Sequence, residues 1–361
     1  RWTKNAPLTL VVQNRLQTEE LVLTADPDNG STAILHRETD DTWINLDPGM
    51  PCWRDDGQSF LWMTERNGGP QLELRGRDGK LIRAVTPVEL NYRGLIGLDD
   101  RAGVAWIVAG PNPTEAQIYR VPLDPAQGPP LAWTSEPGLH GGFLSPDGSV
   151  LVHTADLLDG TRRVTVERTA PAAARRVIGE IASQAEAPSF VPQPELVPPF
   201  KGTNCWSVIV RPRQFKPGRK YPVLLSVYGG PHSQMVRASA RSYMMEQWLA
   251  DQGYVVVAID GRGTPARGRA WERALHRNLI DAPLADQVET LTLLGARFPE
   301  LDVHRSGVYG WSFGGYFTAM CVMRHPEIFR AGVAGAPVVD WRDYDTHYTE
   351  RYLGLPEGAA G

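Results

Sequence analysis

Apolar residues follow two different patterns along the chain. Up to about residue 180 they come in short runs of strand length: Thr9 to Val12, Glu20 to Thr24, Phe60 to Met63, Gln71 to Arg75, Val104 to Val108, Gln117 to Val121, Val150 to Thr154 and Arg163 to Glu167. Between them lie Asp26-Pro27-Asp28-Asn29-Gly30, Asp55-Asp56-Gly57, Asp78-Gly79 and Pro146-Asp147-Gly148. Asp, Asn and Gly tolerate positive φ, so these are hairpin turns. The runs read as strands.

A loose repeat runs through them. Asp56-Gly57 precedes Ser59–Met63, Asp147-Gly148 precedes Ser149–Thr154, and Asp99-Asp100 precedes Val104–Val108 nearly midway. The implied unit is about 45 residues, the length of one four-stranded propeller blade. The pattern predicts part of a β-propeller over residues 1–182. A β-sandwich with coincidental turn spacing is the alternative.

From Ala182 to Phe200 the chain is Pro-rich, which predicts an extended connection between domains. Beyond it strands alternate with helices. Trp206–Val210, Val223–Val227, Tyr254–Ile259, Ser306–Tyr309 and Ala331–Ala334 read as strands. Arg241–Gln252, Pro283–Phe298 and Phe313–His325 read as helices, the second with Leu284, Val288, Leu291 and Leu294 on one face. The alternation predicts a parallel α/β sheet over residues 183–361.

Composition narrows the function little. In 361 residues, 42% are hydrophobic and 22% charged, the proportions of an ordinary globular protein. A net charge of -4 gives no case for nucleic acid or an anionic membrane surface. No apolar run is long enough to cross a bilayer as a helix. Cys52, Cys205 and Cys321 are odd in number and far apart, with neither disulfide nor metal-ligand spacing. The chain begins at Arg1 inside strand-rich sequence, so we expect it to be a piece of a longer protein, open at both ends. No signal peptide is visible, and exported, periplasmic and cytoplasmic locations all stay open.

The chemistry-bearing string is Gly310-Trp311-Ser312-Phe313-Gly314, a G-x-S-x-G. Alone it is weak. It follows a predicted strand and opens a predicted helix, however, and that setting makes Ser312 a candidate nucleophile. Small residues are needed where strand and helix backbones meet, and Gly315 extends the clearance. A serine there also sits beside helix N–H groups able to stabilise an oxyanion.

A serine needs a base, and the base an orienting acid. Asp340, Asp343, Asp345 and His347 follow in the right order, but too few strands separate them from Ser312 for loops of this architecture. The expected acid and base lie beyond Gly361, and without them this stretch alone should be nearly inactive. His325 reads as a favourable charge at a helix end. His36, His140, His153, His232, His276 and His304 show no paired metal spacing. Gly261-Arg262-Gly263 lacks the third glycine of a dinucleotide fingerprint.

Trp311-Ser312-Phe313-Gly314-Gly315-Tyr316 resembles the nucleophile segment of the prolyl oligopeptidase family. Tyr221 through Pro231 resembles its oxyanion strand, and Asp260-Gly261-Arg262-Gly263 matches as well. Ala336-Pro337-Val338 through Trp341, Tyr344-Asp345, and Tyr348 through Pro356 are similar to the dipeptidyl peptidase IV branch. The detailed resemblance covers roughly residues 200 to 356.

The resemblance implies a partial propeller followed by an α/β-hydrolase domain that stops after the nucleophile region. It implies a serine exopeptidase cutting after proline or alanine and releasing N-terminal dipeptides. Tyr228 and the Phe313 N–H would hold the oxyanion. Val338, Trp341, Tyr344 and Tyr348 would line a proline-sized pocket. Peptides would be its partners, with no cofactor or metal, and relatives often form homodimers. Two departures stand out. Phe313 replaces the branch's usual Tyr, and the branch's amino-terminus-reading Glu pair has no match; Glu19-Glu20 lies in an ordinary strand lead-in, and the pair is expected before Arg1. Rival readings are an acylaminoacyl peptidase or general oligopeptidase of the same superfamily, and a non-catalytic peptide-binding relative.

Overall fold

The computed structural model describes residues 4–170 and 175–356. The turn glycines Gly57, Gly79 and Gly148 take φ of 65°, 78° and 73°. That left-handed backbone is cheap for glycine, and it lets each hairpin reverse where the sequence placed a turn.

Four antiparallel meanders result. They contain β1 (Leu8–Gln13), β2 (Glu19–Ala25) and β3 (Thr32–Thr39); β4 (Cys52–Trp53), β5 (Ser59–Thr64), β6 (Gln71–Gly76) and β7 (Leu81–Ala84); β8 (Gly94–Asp99), β9 (Val104–Ala109), β10 (Gln117–Pro122) and β11 (Leu131–Ala132); and β12 (Gly138–Leu144), β13 (Val150–Leu157), β14 (Arg162–Arg168) and β15 (Arg176–Glu180). Within each sheet every strand lies beside its sequence neighbour. First strands begin at Leu8, Cys52, Gly94 and Gly138, near the unit of about 45 residues expected of a blade. These sheets are blades of a β-propeller.

The packing explains why strands such as β9 read as unbroken apolar runs. Ala105, Ile107 and Ala109 join a core with Val22, Trp53, Phe60 and Leu72. Val104 and Trp106 join another with Ile118, Trp133 and Leu151. Side chains alternate faces along a strand, and here both faces are buried.

The propeller half also buries polar groups. The Glu38 carboxylate accepts from Trp62 Nε1 at 3.1 Å, Thr64 Oγ1 at 2.8 Å and Arg66 Nη2 at 2.6 Å, with His36 Nε2 at 3.3 Å. Burial alone would raise its pKa, but hydrogen bonds from His36, Arg66 and Thr64 more than offset this and hold it at about 2. A carboxyl depressed from 4.5 stabilises the fold above about pH 4.5 and loses that contribution as pH falls toward 2. Glu38→Gln is therefore expected to destabilise the propeller blades by about 2–3 kcal/mol at pH 7. Urea unfolding followed by tryptophan fluorescence should show the gap between variant and wild type closing below pH 4.

The second half forms a six-stranded sheet in the order β16-β17-β19-β18-β20-β21. Its strands are β16 (Pro194–Val197), β17 (Trp206–Val210), β18 (Tyr221–Ser226), β19 (Val255–Asp260), β20 (Leu301–Trp311) and β21 (Phe329–Gly335). β17 runs antiparallel to both its neighbours, and the other pairings are parallel. The helices are α1 (Met244–Ala250), α2 (Arg269–Glu272), α3 (Asp281–Arg297), α4 (Phe313–Arg324) and α5 (Thr346–Leu353). All six residues of β19 are buried. This is the strand order and helix placement of an α/β-hydrolase sheet.

The described residues fall into two compact units: one within Arg1–Glu136, His140–Ala155 and Arg162–Gln184, the other within Pro137–Leu139, Asp156–Thr161 and Ala185–Gly361. Two expectations need correction. The Pro-rich run is not all connection: Pro194–Val197 pairs with β17 as the sheet's edge strand. Proline at the first residue of an edge strand gives up no needed N–H, so the prolines hid the strand without preventing it. The helix expected over Arg241–Gln252 starts as a 3-10 turn, Ala240–Tyr243, and is α-helical only from Met244 to Ala250.

Candidate active site

β20 ends at Trp311 and α4 begins at Phe313, so Ser312 alone makes the turn between them. It does so with φ 58° and ψ -116°, a conformation that side-chain-bearing residues rarely adopt. The flanking glycines make the turn feasible. A Cβ on Gly310 would stand 2.4 Å from the carbonyl oxygens of Val227 and Gly314, and one on Gly314 2.3 Å from that of Val227. The Ser312 N–H donates to the Gly335 carbonyl at 2.9 Å. Its own carbonyl accepts from the N–H groups of Gly315 and Tyr316 at 2.9 and 3.1 Å. The serine is thus fixed at the backbone and held at the N-terminus of α4, where the first N–H, that of Phe313, has no acceptor within the helix.

Tyr228 stands just past the end of β18, the strand beside β20. Its ring packs against Phe313 with centroids 5.7 Å apart. Burial, and secondarily the neighbouring Tyr344, raise its pKa, so the phenol keeps its proton and remains a donor.

The segment after β21 brings up the aromatic residues. Trp341 opens a short 3-10 turn, and α5 follows. Trp341 lies 5.7 Å from Phe313, 5.2 Å from Tyr316, 6.0 Å from Tyr344 and 6.4 Å from Tyr348 by ring centroids. The last pair is stacked at 13°. Tyr344 and Tyr348 meet edge to face at 5.4 Å. Val338 is half-buried in the segment between β21 and Trp341, while Val339 beside it is 88% exposed. The expected pocket residues other than Val338 therefore form one ring cluster with Phe313, and through it with Tyr228. Tyr316 and Tyr352 belong to that cluster and had no role assigned from sequence. The signal was there: Tyr344, Tyr348 and Tyr352 recur at helical i, i+4 spacing.

Asp340, Asp345 and His347, which follow Ser312 in triad order, make local contacts. Asp340 accepts the Arg342 N–H at 3.0 Å and pairs with its guanidinium. Asp345 caps α5 by accepting the Tyr348 N–H at 2.8 Å. His347 is exposed, with Arg351 Nη2 3.4 Å from its Nε2. His325 pairs with Glu327 at 3.0 Å. His140, His153 and Glu167 form a buried hydrogen-bonded chain in the propeller half. Among the described residues no His, Cys, Asp and Glu side chains are grouped to hold a metal ion, and no helix is long and apolar enough to cross a membrane.

The Asp260-Gly261-Arg262-Gly263 segment acts as a tether. Both Asp260 carboxylate oxygens accept backbone N–H groups, from Met235 at 2.8 Å and Val236 at 2.9 Å. Burial pushes this carboxyl up to about 6, against the pull of those two donors. Arg262 grips Asp286 with Nη2 at 2.7 Å. The loop downstream of Tyr228 is thereby pinned to the end of β19.

Two protein families match separate parts of the chain. The profile of the prolyl oligopeptidase family matches residues 241–360. That of the dipeptidyl peptidase IV N-terminal region matches residues 1–159. Dipeptidyl peptidase 8 of Homo sapiens is 42% identical over 175 residues, 46% of this chain and 20% of that protein. A probable dipeptidyl-aminopeptidase B of Aspergillus oryzae is 30% identical over 344 residues, 92% of this chain and 35% of that protein. The crystal structure of Porphyromonas gingivalis dipeptidyl peptidase 4 superposes with a TM-score of 0.88 at 28% identity, covering 99% of this chain and 51% of that one. The chain thus spans between a fifth and about half of the length of these relatives.

Proposed function

The chain belongs to the prolyl oligopeptidase family, in its dipeptidyl peptidase IV-like branch, and on that premise we propose that it carries the nucleophile, oxyanion site and specificity pocket of a serine dipeptidyl peptidase. One observation carries the reading: Ser312 alone holds a strained backbone between strand and helix, and the next residue, Phe313, packs against Tyr228 and a cluster of aromatic rings.

Ser312 Oγ attacks the carbonyl carbon of a proline or alanine residue near a peptide's free amino end. Its proton passes to a histidine that an aspartate orients, both supplied by polypeptide C-terminal to the described residues, in the order Ser, Asp, His. The C=O double bond opens to an oxyanion, which Tyr228 Oη–H and the Phe313 N–H stabilise. Collapse expels the leaving amine, which takes the proton from the histidine. Water then hydrolyses the acyl-serine by the same route. Val338, Trp341, Tyr344 and Tyr348 form the S1 pocket. Flat rings suit the compact pyrrolidine of proline and leave little space for branched side chains.

The test is hydrolysis by the full-length protein of Gly-Pro, Gly-Ala and N-acetylated Gly-Pro amides. Cleavage of Gly-Pro with little turnover of the blocked substrate supports a dipeptidyl peptidase. The reverse preference indicates an acylaminoacyl peptidase, and binding without turnover a peptide-binding relative. Trp341→Ala should leave Ser312 reactive but open the pocket. We expect the preference for proline over alanine, read as a ratio of kcat/KM, to fall about ten-fold or more.

A further inference from the structure

The aromatic rings close a circuit. Tyr228 packs on Phe313 at 5.7 Å, Phe313 on Trp341 at 5.7 Å, Trp341 on Tyr348 at 6.4 Å, Tyr348 on Tyr352 at 4.9 Å, and Tyr352 on His232 at 5.8 Å. His232 returns the path to its start, because it lies on the loop that begins at Tyr228.

His232 has no part in the mechanism above, yet two features mark it. Its φ is 64°, a backbone that costs a side-chain-bearing residue and persists only where the surroundings enforce it. Its Nε2 is hydrogen-bonded to the Tyr352 hydroxyl. Tyr352 is a firm anchor: it is fully buried, and its carbonyl accepts the Arg277 N–H at 2.6 Å. Burial raises its pKa, so the hydroxyl remains a donor, and a neutral imidazole nitrogen can accept from it. The Asp260 tether at Met235 and Val236 holds the far end of the same loop but leaves the stretch nearest Tyr228 to other contacts.

We propose that the His232–Tyr352 hydrogen bond is a clamp that positions Tyr228. It ties the loop carrying the oxyanion donor to α5, the helix that carries Tyr348 of the pocket wall. A proline seated against Tyr348 then meets a donor held by the same helix. His232 and Tyr352 are positioning residues in this scheme. The inference rests on the reading of Tyr228 as the oxyanion donor.

The test is a kinetic cycle in the full-length protein on a Gly-Pro amide. Tyr352→Phe keeps the ring and removes the hydroxyl. It should lower kcat about ten-fold and leave KM within about two-fold. In a Tyr228→Phe background the same substitution should change kcat less than about two-fold, because the hydroxyl it positions is gone. His232→Asn tolerates left-handed backbone but is too short to bridge, and should give the same pattern, which guards against a folding defect in one variant. Losses that multiply with that of Tyr228→Phe mark general damage and overturn the clamp. So does unchanged kcat in both variants. If Tyr228→Phe itself leaves kcat intact, the oxyanion reading falls and takes the clamp with it. If Tyr228→Phe slows turnover while the clamp variants do not, the clamp alone is wrong.

Discussion

Replacing Ser312 with alanine in the full-length protein is expected to lower kcat/KM on a Gly-Pro amide by at least about 10⁴-fold. The loss is large because no other group can form the acyl intermediate, and only oxyanion stabilisation and binding remain. The fold should survive. Alanine presents the same Cβ to the turn as serine, so the strain at φ 58° is unchanged and the urea midpoint should barely move. Ser312→Gly gives a second readout. It should be equally inactive but more stable by about 1 kcal/mol, since glycine relaxes the positive-φ cost. Active-site titration with a serine-directed phosphonate, together with unfolding curves, checks both. Turnover of the alanine variant within ten-fold of wild type would remove Ser312 from the mechanism. Equal stability of the alanine and glycine variants would show that the turn is not strained.

Much of this was legible because the deciding constraints are local. The strands β5, β6, β9, β10, β13 and β14 carry apolar runs bounded by turn residues, and their limits fell within a few residues of expectation. The elbow was legible because a Cβ at Gly310 or Gly314 would collide with backbone, so the glycine spacing, set between a predicted strand and a predicted helix, marks the turn. Where the sequence was silent, the forming contacts are distant or the strand is exposed. β15 is exposed along its whole length and has no buried face to impose a pattern. β4 and β11 are two residues each, set by the strands they pair with. β16 is a strand because β17 offers it an edge, not because its residues favour one. Apart from His36, the partners of Glu38 lie 24 to 28 positions away, and the His232–Tyr352 bond spans 120. No spacing rule reaches that far. The rings of the pocket lay between these cases: helical spacing puts Tyr348 and Tyr352 on one face of α5, with Tyr344 just before the helix, but only the resemblance distinguished a pocket from ordinary core packing.

Tyr228→Phe should separate stabilisation of the transition state from binding of the substrate. The ring contact with Phe313 survives the substitution, so the variant should fold as the wild type does. What disappears is one donor aimed at charge that exists only after attack. The expected result is a fall in kcat of about 10²- to 10³-fold with KM within about three-fold. The raised pKa of Tyr228 adds a constraint on the pH profile. Because burial disfavours the phenolate, the donor stays protonated to a higher pH than a free tyrosine. Any alkaline loss of activity below about pH 10 then belongs to another group. Should the variant raise KM and leave kcat untouched, Tyr228 would be holding the ground-state carbonyl or the peptide backbone, and the oxyanion would depend on the Phe313 N–H alone. The two outcomes imply different enzymes. In the first, binding energy is spent where the charge develops, and the aromatic circuit serves to keep one hydroxyl in place. In the second, the circuit is a binding wall, and catalysis rests on the elbow by itself.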